Sequence, residues 1–275
     1  MTLTILHSPD ADDRFMFWAL KTGRLPSPVP MTFGEADTQQ LNERAMRHEA
    51  DVIAIWAATY PAVAAWYQPL RMGCSLGDGY GPVIVAKSPC TLADLAGRRI
   101  AVPGLQTTAY QVLRTMLPYF EPVVVPIVPM SRTFEVLHAG EVDAALLIHE
   151  GRLIYERFNT VKIGELGELW QAANHTPLPL GMNVVARRLP MEQRQALSDL
   201  FVESFDAGMA ELETFVTEYT ATTPMDAAEL RQYLSMYANA STRTVKDSDK
   251  AGFKALYGCL AAAGVLSAVP ELDWI

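Results

Sequence analysis

The chain has 275 residues, half of them hydrophobic and 19% charged, enough apolar material for a large core and too much for an intrinsically disordered chain. Twenty-two Lys and Arg against 31 Asp and Glu leave a net charge of -9, which argues against general binding to a phosphate backbone or an anionic membrane surface. At about 150 residues per domain, the length predicts one large domain or two modest ones.

Short apolar strands alternate with helical patterns through the first two thirds. TLTILH (2–7) is a strand, and RFMFWALKTG (14–23) is a helix. TQQLNERAMRH (38–48) is helical, and DVIAI (51–55) is a strand. The most apolar stretch, 52–66, is interrupted by Thr59, Tyr60 and Pro61. It falls short of the roughly 20 apolar residues of a membrane span and is predicted as a buried strand and helix. PVIVAK (82–87) and RRIAVP (98–103) are strands, and TTAYQVLRTML (107–117) is a helix. PVVVPIVP (122–129) is a strand, SRTFEVLHAG (131–140) a helix, and VDAALLIH (142–149) and GMNVVAR (181–187) are strands. This is the rhythm of an α/β protein with mostly parallel sheets. From Pro190 onward the pattern is helical, over 191–216, 227–237 and 249–266.

Composition predicts two chain crossings, after Lys87 and at PLPLGMNVVARR. The expected organisation is a larger discontinuous α/β domain, 1–88 plus 185–275, with a smaller α/β domain, 89–184, inserted into it. Ligands in such architectures sit between the domains, at strand C-termini and helix N-termini. Cys74, Cys90 and Cys259 are odd in number and form no CxxC pair, so neither a disulfide framework nor a zinc site is expected. MTLTILHSPD lacks a basic segment and a long apolar run, so a cytoplasmic protein is expected.

Four segments carry candidate chemistry. In the first, Ser8 to Asp13 lie between a strand and a helix. They read as a capped turn, as a cleft rim on which Ser8 donates to a ligand, or as a cation site on Asp10, Asp12 and Asp13. In the second, GCSLGDGYGP (73–82) is a tight turn or a ligand-contacting one, and it matches neither a P-loop nor a dinucleotide fingerprint. In the third, Thr107 and Thr108 open a helix after a glycine turn, where they form either an N-cap or a carboxylate or phosphate site. Ser8 and Ser75 are reserves for that role. In the fourth, His149 ends an apolar strand facing the cleft, where an imidazole suits proton transfer at neutral pH. Glu150 would orient it or cap the next helix. His7 is the reserve candidate and His175 a loop residue near the cleft. Trp56, Tyr60, Trp66 and Tyr80 lie near the cleft, mostly as core, with one or two able to stack on a planar ligand. No GxSxG elbow, HExxH helix or basic-aromatic stretch is present.

The ordered set SPDADDRFMFWALKTG, GDGYGP, PGLQTTAY, IHEGRLIY and PLPLG resembles the futalosine-pathway menaquinone biosynthesis family, and within it the 1,4-dihydroxy-6-naphthoate synthase branch. The similarity runs from Ile5 to about Val265. It implies a two-domain periplasmic-binding-protein-like (type II) α/β fold with two inter-domain hinge strands and a helical C-terminal region. It implies a lyase that cleaves a carbon–carbon bond of cyclic dehypoxanthinylfutalosine and releases 1,4-dihydroxy-6-naphthoate. It places the proposed base on His149 and ligand binding on Thr107, Thr108 and Ser8, with no metal or redox cofactor. Asp10, Trp56, Ser75, Tyr80 and Glu150 complete the expected substrate-binding set. One departure falls at Trp56, where the family usually carries a serine. An indole there would fill the pocket or add a stacking face, and so bears on the substrate. The other readings are a solute-binding protein for a small aromatic carboxylate and a related enzyme such as a chorismate dehydratase. The expected partner is a small molecule, without nucleic acid or membrane. Exposed parts of the helical tail would be the contact surface of a homodimer.

Overall fold

The structure is a computed structural model, and it describes residues 2–275. The described residues form eleven strands in two sheets. The first sheet holds β1 (Leu3–His7), β2 (Met31–Glu35), β3 (Val52–Trp56), β4 (Tyr67–Pro69), β5 (Ser75–Gly77) and the long β11 (Leu178–Ala186). The second holds β6 (Val83–Ala86), β7 (Arg99–Val102), β8 (Glu121–Val124), β9 (Ala144–Leu147) and β10 (Val161–Glu165), in the order β10-β6-β9-β7-β8. The first sheet runs β2-β1-β3-β11-β4, with β5 on β11. β1 is parallel to β2 and β3, whereas β11 is antiparallel to β3.

Helices cover both sheets. Those before β11 are α1 (Ala11–Lys21), α2 (Thr38–Met46), α3 (Tyr60–Val63), α4 (Thr108–Met116), α5 (Ser131–Ala139), α6 (Gly151–Ile154) and α7 (Leu166–Asn174). After β11 come α8 (Met191–Ala210), α9 (Leu212–Thr220), α10 (Ala227–Tyr237), α11 (Ala240–Arg243) and α12 (Asp247–Ala262). β3 reads VIAIW and is buried on both faces, as a central strand between covered faces should be. α1 places Phe15 and Phe17 in the core, edge-on to Phe205 and Phe201 of α8. Burying each such ring contributes about 2–3 kcal/mol, which docks the helical C-terminal third onto the first sheet.

Strand pairing corrects the expected boundaries of 88/89 and 184/185. PVIVAK is no hinge strand, because β6 pairs along its length with β9 and β10 inside the second sheet. β11 already pairs with β5 at Leu178, inside the first. The chain therefore crosses between the lobes at 78–82 and 175–177. The helix expected over 191–216 is also two helices, broken at Glu211, whose φ of -118° leaves the helical region. Among the described residues no helix is long and apolar enough to cross a membrane, and the three cysteines are free.

Candidate active site

Three chain segments converge on one cavity between the lobes. The turn after β1 brings Ser8, Asp10, Asp12 and Asp13, the end of β3 brings Trp56, and the turn after β9 brings His149. Ser75, Gly73 and Asn183 also line it, as do Tyr233 and Tyr237 of α10. The cavity has about 640 Å³ of empty space, part of it open to solvent, and its lining is largely apolar. A second hollow borders the other side of His149 and is lined by Glu150, Val102, Phe158 and Tyr219.

His149 is the centre of the arrangement. Its φ of +50° turns the backbone left-handed just past β9, a strain of about 1–2 kcal/mol for a non-glycine residue. Its Nδ1 lies 2.6 Å from Oδ2 of Asp10. The same oxygen accepts the Ser8 hydroxyl at 2.5 Å. A carboxylate only accepts, so Asp10 fixes the proton on Nδ1 and leaves Nε2 with the lone pair of the neutral ring. That Nε2 is buried and has no hydrogen-bond partner among the described residues. Burial disfavours the imidazolium, but the Asp10 carboxylate outweighs it, with help from Glu150 and Asp12, and the ionisation rises to about 9.

The other acids in the turn have separate partners. Asp13 accepts the Ser8 backbone N–H at 2.8 Å, and Asp12 accepts the Tyr233 hydroxyl at 3.0 Å. Burial and mutual repulsion raise Asp12 well above the usual carboxylate range and Asp13 to about 6. Among the described residues no group of three or more His, Cys, Asp or Glu is placed to hold a metal ion, and Asp10, Asp12 and Asp13 each bond to a different protein group. Glu150 does not orient the imidazole, since Asp10 does. It stands at the start of α6, where burial and the Asp10 charge raise it to about 7.

The remaining expected residues divide by position. Trp56 lies on the cavity wall, 7% exposed, with its ring 5.7 Å from that of His149. Ser75 also lines the cavity. Tyr80 lies outside the cavity lining, donating its hydroxyl to the Met236 carbonyl. Thr107 and Thr108 are fully buried and lie outside the lining as well. Thr107 caps α4, accepting from Tyr110 N at 3.2 Å and donating to Gly104 O at 2.8 Å. Thr108 joins the lobes: its hydroxyl donates to Leu180 O at 2.8 Å and accepts from Ala58 N at 3.1 Å. Both hydroxyls are thus held by backbone groups, the N-cap reading rather than the anion-site one. Of the reserve histidines, His7 is buried behind Ser8 and held neutral, lowered to about 4 by burial and by Lys21. His175 ends α7 in the left-handed region.

Several cavity residues escaped the sequence. Arg152 lies in the IHEGRLIY segment and is buried against the cavity, where its guanidinium pairs with Glu165 and donates to Gly81 O at 2.7 Å. Asn183 sits mid-strand and Tyr233 in the helical tail, and no local motif marks either.

Two α/β lobes joined by two crossings, with facing strand ends around one cavity, define a periplasmic-binding-protein-like architecture. The alkanesulfonate-binding protein SsuA of Xanthomonas axonopodis pv. citri shares it, with a TM-score of 0.72, 16% identity and coverage of 98% of this chain and 94% of that one. A solved structure of protein AF1704 from Archaeoglobus fulgidus is closer, with a TM-score of 0.90, 34% identity and coverage of 96% and 98%. This chain belongs to the menaquinone biosynthesis family, whose model matches residues 3–262. It is 32% identical over 266 residues, 96% of each chain, to the 1,4-dihydroxy-6-naphthoate synthase of Thermus thermophilus.

Proposed function

We propose that this chain is a carbon–carbon lyase that converts cyclic dehypoxanthinylfutalosine to 1,4-dihydroxy-6-naphthoate, with His149 as the general base. Near-full-length similarity to relatives named for that product supports the reaction. The observation that carries the base is the His149 ring itself, with Nδ1 held by Asp10 and Nε2 unpartnered in the cavity.

In this reading Nε2 removes a proton from a sugar hydroxyl, the oxygen's electron pair forms a carbonyl on the departing sugar fragment as the ring-to-sugar carbon–carbon bond breaks, and the pair from that bond passes into the six-membered ring, which becomes aromatic as the imidazolium returns the proton. Asp10 stabilises the imidazolium as it forms, and Ser8 holds Asp10 in place. Aromatisation supplies much of the driving force, so a positioned base in a water-poor cavity suffices without metal or redox cofactor. Trp56 and the apolar walls receive the planar ring. The enzyme would work in the cytoplasm as part of menaquinone synthesis.

The test is turnover of cyclic dehypoxanthinylfutalosine by purified protein, with product followed by mass. Tight binding of the product without turnover would instead favour a solute-binding protein.

A further inference from the structure

Most buried polar side-chain atoms find partners, because leaving one unmade costs a full desolvation. Around this cavity several do not. Trp56 Nε1, Thr38 Oγ1 and Asn183 Oδ1 join His149 Nε2 as buried atoms without a partner among the described residues. All four residues line the same cavity. Trp56 is 7%, Thr38 8% and Asn183 1% exposed, so ordinary solvation does not satisfy them.

Asn183 Oδ1 only accepts, whereas the Thr38 hydroxyl can donate or accept. Indole Nε1 only donates, so its complement is an acceptor. Thr38 is the first residue of α2, a nine-residue helix whose positive end favours an anion. Asp37 caps that helix through Oδ1 to Gln39 N. Its other oxygen, Oδ2, is buried without a partner among the described residues, and burial holds the carboxyl above its usual range. Asn42, on the same helix, accepts the Trp56 backbone N–H at 3.1 Å and so fixes where the indole starts. Asp10, Asp12 and Asp13 line the same cavity, and each is engaged, Asp10 with His149 and Ser8, Asp12 with Tyr233 and Asp13 with the Ser8 N–H. Arg152 is engaged with Glu165 and Gly81.

We infer that Trp56 Nε1 and the Thr38 hydroxyl form the subsite for the ligand's carboxylate, and that Trp56 sets specificity for a planar aromatic acid. The indole serves twice, with its edge donating to a carboxylate oxygen and its face lying beside the ligand's aromatic ring. This inference rests on the aromatic-acid reading of the cavity given above.

The test is calorimetric binding of two probes under argon, 1,4-dihydroxy-6-naphthoate and 1,4-dihydroxynaphthalene, which lacks the carboxylate. Trp56→Phe removes the donor and keeps an aromatic ring, and Thr38→Val removes the hydroxyl at nearly constant shape. The expected result is a loss of roughly 10-fold or more for the naphthoate in Trp56→Phe and of several-fold in Thr38→Val, as for a hydrogen bond to a charged group. The dihydroxynaphthalene should change by less than about 3-fold in Thr38→Val, and in Trp56→Phe by clearly less than the naphthoate. Equal losses for both probes would show packing alone and overturn the inference, as would no loss for either. Wild-type protein that fails to bind the naphthoate overturns it too. Wild-type protein that binds the naphthoate with this discrimination but never forms it overturns only the proposed reaction.

Discussion

Asp10 Oδ2 receives both His149 Nδ1, at 2.6 Å, and Ser8 Oγ, at 2.5 Å, so one carboxylate oxygen ties the end of the first sheet to the end of the second. The contact spans the cleft between the lobes. It makes the base depend on how the lobes meet, because separating them would take Asp10 away from the imidazole.

A pH dependence follows. With its ionisation near 9, His149 in the free protein is mainly imidazolium at neutral pH, and the neutral, basic form grows as pH rises. kcat/KM should therefore climb with pH and level off near 9. Asp10→Asn removes the charge that raises the ring and leaves the burial that lowers it. The rising limb should move about 2 units to lower pH, with a reduced plateau from lost orientation. A pH–rate profile of both proteins reads this, and an unmoved limb would show that Asp10 does not set the ionisation of the base.

Thr107→Ala should act on stability rather than on substrate. Losing the α4 cap costs about 1 kcal/mol, whereas KM should change by less than about 2-fold. Thermal melts and steady-state kinetics together check it. A large rise in KM with an unchanged melting temperature would return Thr107 to the ligand.

Gly73 has φ +96°, and a Cβ there would come 1.9 Å from Asn183 Nδ2. Gly73→Ala should displace the Asn183 amide into the cavity and destabilise the fold by about 1–3 kcal/mol. The measurable outcome is a lower melting temperature together with weaker product binding.

Arg152→Met should be costly although its side chain takes no part in the His149–Asp10 pair. It would strip the buried Glu165 of its guanidinium, leaving Lys162 and the Gly81 N–H as partners, and release the Gly81 carbonyl at the lobe crossing. The expected loss is about 3 kcal/mol in denaturant unfolding.

What the sequence revealed follows the range of the forces involved. Central strands such as β3 and β9 are unbroken apolar runs and were readable at once. β2 and β10 lie at sheet edges, half-exposed, with MTFGE and VKIGE lacking any apolar run, and neither was expected. The strand expected over 122–129 ends at Val124, because Pro126 cannot donate to a ladder. Of the expected residues, Ser8, Asp10, Trp56, Ser75 and His149 line the cavity, and each lies at a strand end or in the turn just after one. Thr107 and Thr108 look alike in sequence to an anion site and to a cap, and only the positions of Gly104 and Leu180 decide between them. Tyr233 reaches Asp12 across 221 residues, through α10 packing on α1, a relationship no local pattern encodes.

The most direct test of the account is turnover by wild type and by His149→Gln, which keeps a polar group of similar reach but no base. Cyclic dehypoxanthinylfutalosine would be supplied and 1,4-dihydroxy-6-naphthoate quantified by mass. The account predicts product from the wild type and a loss of roughly 10²–10⁴-fold in kcat for the variant, with binding of the naphthoate retained. A variant as active as the wild type would contradict it.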